Sequence, residues 1–169
     1  MHRMILSVIL LLYALRGIAT AAGGADVVGA ACVPDPSTYF CGYVATNGGV
    51  TFGGLSFCTF YPYVNFYCSV PNASQMSAPT TLTISYTDDT GTADNEVYVT
   101  YYKMNKATGV LTAVANVITS SGCTTGSFRT CSASFTDTFA PATYRYFIAV
   151  TLERTSNAPT EIFYGASLR

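Results

Sequence analysis

Residues 144–153 alternate with period two: Tyr144, Tyr146, Ile148, Val150 and Leu152 fall on one side, and Arg145, Phe147, Ala149, Thr151 and Glu153 on the other. Successive side chains point to opposite faces only in a strand, so this run reads as a strand with one buried and one solvated face, and the regularity of its pattern predicts a central position. The period returns in Leu82, Ile84 and Tyr86, set between Thr81, Thr83, Ser85 and Thr87, and in Val97, Val99 and Tyr101, set between Tyr98, Thr100 and Tyr102. Beyond the first residues nothing sustains a helical period. The expected fold is therefore all-β, an antiparallel β-sandwich or jelly roll of about 8 to 10 short strands stapled by disulfides.

Turn residues divide the rest. Pro34, Pro36, Asn47-Gly48-Gly49 and Gly53-Gly54 punctuate two short strand-like pieces at 39–44 and 50–52, and Pro71-Asn72-Ala73-Ser74 makes a further turn. A polar loop is expected over 88–95. The run Asn105-Lys106-Ala107-Thr108-Gly109 fits a hairpin closing in a bulge, with Gly at the position that needs a positive φ. Ser156-Asn157-Ala158-Pro159 leads to a last strand over 161–168. The alternating run at 144–152, its polar turn and the final Gly165-Ala166-Ser167-Leu168 resemble the ends of uncharacterised secreted bacterial β-sandwich proteins, over the C-terminal half of the chain. That resemblance implies no activity and no functional residue.

Arg3, an apolar run over 5–15 and the small residues Ala19-Thr20-Ala21-Ala22 read as a secretory signal, and that run is too short to span a bilayer. Residues 1–21 are accordingly expected to be a signal peptide, 22–31 a flexible N-terminal arm, and 32–169 a single β-sandwich domain. The chain would then be secreted or periplasmic, meeting a membrane only through an uncleaved signal segment. Only 10% of residues are charged against 50% hydrophobic, which excludes intrinsic disorder. Of 8 basic and 9 acidic residues, cleavage removes Arg3 and Arg16 and no acid, leaving a net charge of about −3, so nothing attracts nucleic acid.

Six cysteines in an exported chain predict three disulfides. They fall in three close pairs, Cys32 with Cys41, Cys58 with Cys68 and Cys123 with Cys131, and sequential pairing is expected. Zinc does not fit, because there is no CxxC and the one histidine, His2, lies in the signal. The same lack removes Ser-His-Asp and Cys-His designs from the mature chain.

Two clusters remain as candidate sites. In residues 57–68, FCTFYPYVNFYC, the even positions are apolar, and four of the six odd ones, Thr59, Tyr61, Tyr63 and Tyr67, carry hydroxyls. With Cys58 joined to Cys68 this becomes a stapled hairpin turning at 62–64, where Phe60 meets Phe66 and Tyr61 meets Asn65. Phe57, Tyr61, Tyr63 and Tyr67 form a ligand platform if that face is solvated, and core if it is not. The second cluster is Asp88, Asp89, Asp94 and Glu96, whose hard oxygens on a loop suit a structural calcium ion, and equally suit a solvated turn. No cofactor is otherwise implied. The function these features fit is a secreted, non-catalytic binding module recognising glycan or protein through a Tyr-rich surface. The alternatives are a structural subunit of an extracellular or cell-surface assembly and, third, a hydrolase using Asp or Glu.

Overall fold

The computed structural model describes residues 23–38, 43–46, 48–52, 63–89, 95–154 and 161–169. Eleven strands occur among them: β1 (Ala25–Val28), β2 (Val33–Pro34), β3 (Tyr43–Thr46), β4 (Gly49–Phe52), β5 (Tyr63–Ser69), β6 (Thr81–Asp88), β7 (Asn95–Asn105), β8 (Leu111–Ile118), β9 (Gly126–Ser134), β10 (Tyr144–Arg154) and β11 (Ile162–Leu168). Two antiparallel sheets result. One has the order β3-β4-β11-β6-β9 with β1 also on β11; the other has the order β2-β5-β10-β7-β8. From β4 onward the chain changes sheet at every connection except the β7–β8 hairpin, which is jelly-roll topology.

Period two decides what lies between the sheets. Val64 and Phe66 of β5, Leu82, Ile84 and Tyr86 of β6, Val97, Val99 and Tyr101 of β7, and Ile148, Val150 and Leu152 of β10 are all buried. Burying such a side chain is worth about 1.5–3 kcal/mol, so these alternating runs dominate the stability of the sandwich. β10 holds the middle of its sheet, as its pattern predicts, with β5 on one side and β7 on the other. The β7–β8 turn also forms as read: Gly109 has φ 72° and donates its N–H to the Asn105 carbonyl at 2.9 Å, while Asn105 Oδ1 accepts from the N–H groups of Ala107 and Thr108.

Several expectations are corrected. Within the segment expected to be a flexible arm, Ala25–Val28 pairs with β11, Ala25 opposite Leu168 and Val28 opposite Gly165. Gly165 makes room for this, since a Cβ there would lie 2.4 Å from the Val27 carbonyl oxygen. The hairpin expected over 57–68 does not turn at 62–64, because Tyr63–Ser69 is one continuous strand with Tyr63 opposite Glu153 and Phe66 opposite Val150.

That strand also changes the disulfides. Val33 of β2 lies opposite Tyr67, which sets Cys32 across from Cys68, and those two are joined with Cα atoms 4.3 Å apart. Cys32 therefore does not pair with Cys41, nor Cys58 with Cys68; the cross-strand register outweighs nearness in sequence. Cys123 and Cys131 are joined as expected. Cys41 and Cys58 lie outside the described residues.

Candidate functional site

The outward positions of the five-stranded sheet are the odd residues of β5 and β10 and the even residues of β7. Across this face Phe147 of β10 stands opposite Tyr102 of β7, and Ala149 stands between Tyr67 of β5 and Thr100 of β7. The Phe147 and Tyr102 rings stack with centroids 5.4 Å apart at 17°, and Tyr67 meets Phe147 edge-on at 6.3 Å. Ala149 is the one small side chain among these rings, so the surface dips there. The dip is a groove of about 240 Å³ bordered by Asn65, Tyr67, Tyr102, Leu111, Phe147 and Thr151, none of them charged.

Tyr67 is 44% exposed yet held in place. Its hydroxyl donates to Asp35 Oδ2 at 3.1 Å, and Asp35 Oδ1 accepts from the Ser37 N–H and hydroxyl. The Ser37 hydroxyl and N–H, with Tyr67 behind them, hold the Asp35 carboxyl below its ordinary range. Partial burial and then the bond to Asp35 push the Tyr67 phenol up, so it stays a neutral donor. At the other border Thr151 Oγ1 donates to Asn65 Oδ1 at 2.7 Å, which leaves the Asn65 amide N–H₂ without an acceptor among the described residues. Thr100, level with Ala149 in the register, is buried and its hydroxyl has no partner among the described residues. Stacked rings with unspent donors and acceptors at the rim can hold a flat, hydroxyl-bearing ligand.

Of the residues expected to form the platform, Tyr63 and Tyr67 both face outward, 46% and 44% exposed, separated by Asn65 on the same face. Phe57 and Tyr61 lie outside the described residues. The rings that complete the groove, Phe147 and Tyr102, come from β10 and β7. The signal for them was present, in a bulky aromatic at a solvated position of an otherwise clean alternation.

The four acids of the second cluster take different settings where they are described. Asp88 falls in phase with Leu82, Ile84 and Tyr86, so it ends β6 pointing inward, fully buried, and not in a polar loop. Its carboxylate accepts from the Thr119 hydroxyl, and Glu96 accepts from the Ser120 hydroxyl. Asp89 is exposed and Asp94 lies outside the described residues. Among the described residues no group of three His, Cys, Asp or Glu side chains is gathered to hold a metal ion.

Glu161, just before β11, is the acid that sequence reasoning missed. It is buried, among the described residues its carboxylate oxygens meet no hydrogen-bonding group other than its own backbone, and burial pushes its pKa up to about 7 against that backbone contact, with Asp88 and Asp89 adding to the rise and Arg154 opposing it.

No protein-family model and no curated protein matches the chain. Among solved structures it is similar to the module pair CBM22-1–GH10 of the Clostridium thermocellum endo-1,4-β-D-xylanase 10B complexed with xylohexaose, at 13% identity and a TM-score of 0.48 over 88% of this chain. It spans 28% of that chain. It is also similar to TmCBM27, a carbohydrate-binding module that recognises mannan, at 10% identity and a TM-score of 0.36 over 86% of both chains. At these identities neither likeness carries a residue across. Among the described residues no helix is long and apolar enough to cross a membrane.

Proposed function

We propose that this chain is a non-catalytic binding module that holds a glycan across the outer face of its five-stranded sheet. The observation that carries the reading is the uncharged groove over Ala149, walled by Tyr67, Phe147 and Tyr102. Sugar rings present apolar C–H faces to aromatic planes and hydroxyls to a polar rim, and Asn65, Thr151 and the Tyr67 phenol supply that rim. The absence of charge among the bordering residues favours a neutral glycan over a charged protein surface. Export belongs to the same reading, since two disulfides suit an oxidising compartment. The rival reading, a structural subunit lending its N-terminal arm to a neighbour, has less support because Ala25–Val28 is already paired with β11.

The test is retention on insoluble xylan, mannan, cellulose and chitin, followed by calorimetry with soluble fragments of whichever retains it. Phe147→Ala and Tyr67→Ala should each weaken binding about 5- to 30-fold, because a buried aromatic contact is worth about 1–2 kcal/mol. Each also removes ring contacts within the chain and should lower the melting temperature modestly while leaving the protein folded at the temperature of the assay. Retention unaffected by either substitution would remove this face as the site.

A further inference from the structure

We propose that the outer face of the six-stranded sheet carries a second glycan site, built on Phe128 and Tyr164. It takes from the reading above only the class of ligand; its residues are all different.

Both rings stand at faults in the ladder. β11 pairs Phe163 with Tyr86 and then Gly165 with Ser85, so Tyr164 is an extra residue on β11. β9 pairs Arg129 with Tyr86 and Gly126 with Asp88, so β9 spends two residues, Ser127 and Phe128, where β6 spends only Thr87. The two strands that flank β6 thus each carry a bulge, on β11 beside Ser85 and Tyr86 and on β9 opposite Thr87, and each bulge delivers an aromatic ring to the same outer face. The rings meet with centroids 5.1 Å apart at 56°.

One hydroxyl ties them together. Thr87 is nearly buried; its Oγ1 accepts from the Phe128 N–H at 3.2 Å and lies 3.2 Å from the Tyr164 hydroxyl. Phe128 sits at φ 48°, a left-handed conformation that an aromatic residue rarely adopts, and its ring is 66% exposed. A bulky apolar side chain is held in an unfavourable backbone conformation and in water, with the Tyr164 ring as its one aromatic neighbour among the described residues. Such an arrangement lowers stability and is accounted for by a ligand that covers the ring.

The surroundings indicate that ligand. The groove beside the two rings is about 310 Å³ and is bordered by Asp26, Val28, Thr83, Ser85 and Ser167. The hydroxyls of Ser85 and Ser167 have no partner among the described residues, and Thr83 shares a 2.7 Å hydrogen bond with Ser132. Asp26, the only charged residue at the border, is paired with Arg169 at 2.6 Å. Two aromatic rings, free hydroxyls and no uncompensated charge suit a neutral sugar.

The experiment is a titration of the ¹⁵N-labelled full chain with xylohexaose, mannohexaose and cellohexaose, followed by amide shifts. Three proteins are compared: wild type, Phe128→Gly, and the double variant Tyr67→Ala/Phe147→Ala. At least one sugar should shift the amides of Ser85, Tyr164 and Gly165 in wild type and in the double variant, and lose that effect in Phe128→Gly. Glycine is at ease at φ 48°, so Phe128→Gly should melt no lower than wild type, and its lost response reports the ring and not the fold. Shifts confined to Tyr67 and Ala149 would overturn the second site and leave the first. Shifts confined to Ser85 and Tyr164 would do the reverse, and silence at both faces would overturn both. A concentration-dependent dimer that Phe128→Gly dissolves would also overturn the proposal, by making a second copy of the chain the occupant.

Discussion

Replacing Glu161 by Gln should abolish a pH dependence of stability worth about 3 kcal/mol. The wild-type carboxyl is buried, among the described residues its oxygens meet no hydrogen-bonding group other than its own backbone, and its pKa is raised from 4.5 to about 7 by burial, with Asp88 and Asp89 adding to the rise and the backbone contact and Arg154 opposing it. Between those two values the folded chain keeps a proton that the unfolded chain has released. The folded state therefore binds more protons in that window. Stability is full below pH 4.5, declines as pH rises, and is lowest once pH passes the folded value. At 1.36 kcal/mol per unit, a rise of about 2.5 units makes the decline about 3 kcal/mol. Glutamine keeps the shape and cannot ionise.

Urea unfolding of both proteins at half-unit steps from pH 4 to pH 8 measures this directly. The wild-type minus variant difference cancels every other titrating group, and it should fall by about 3 kcal/mol across the range, with most of the change between pH 5 and 7. Asp89→Asn removes one of the charges that raise the pKa, so in that background the fall should move to lower pH. A difference that stays flat from pH 4 to 8 would refute the reasoning, for it would mean that the folded carboxyl titrates as it does in the unfolded chain.

Four further outcomes follow. Lys103→Met strands the Asp137 carboxylate, which is 12% exposed, and should cost about 3 kcal/mol in urea unfolding, most of it recovered in Lys103→Met/Asp137→Leu. Peptide mapping without reduction should yield linked peptides containing Cys32 and Cys68; a Cys32–Cys41 peptide would contradict the β2–β5 register. Cys32→Ser/Cys68→Ser opens a crosslink spanning 36 positions and should lower stability by about 4 kcal/mol on the chain-entropy account. Gly165→Ala drives a methyl to 2.4 Å from the Val27 carbonyl oxygen and should cost about 1–3 kcal/mol, with faster hydrogen exchange confined to β1 and β11.

The sheet interior was legible because period two is a strong signal wherever hydrophobic and polar residues alternate without interruption. β6, β7 and β10 appear where the alternation put them, and β10 is central, paired with β5 on one edge and β7 on the other. The disulfides were legible only where local. Cys123 and Cys131 are close in sequence and in space, whereas Cys68 meets Cys32 through a register between β2 and β5. Such a register is set by packing between distant segments, and spacing along one chain does not encode it. Asp88 was misplaced because its polarity outweighed its phase: it continues the inward row of β6, and Thr119 supplies the partner that makes an inward carboxylate tolerable.

The candidate sites mark where alternation was read too simply. Tyr67 was found because it stands in an aromatic-rich stretch, while Phe147 was read as one outward residue of a strand valued for its buried row. Yet an aromatic on the solvated face of a central strand contributes nothing to the core, and its burial must come from a neighbour such as Tyr102 or from a ligand. β11 gives a sharper lesson. Phe163 faces inward, and so do Ala166 and Leu168, although they differ from it in parity. No unbroken strand can do that, so an extra residue must lie between 163 and 166, and Tyr164 is that residue in the pairing with β6. A parity slip between firmly buried positions can thus be read from sequence as a bulge. Here the residue at the slip is the one turned out to the surface, where it meets Phe128.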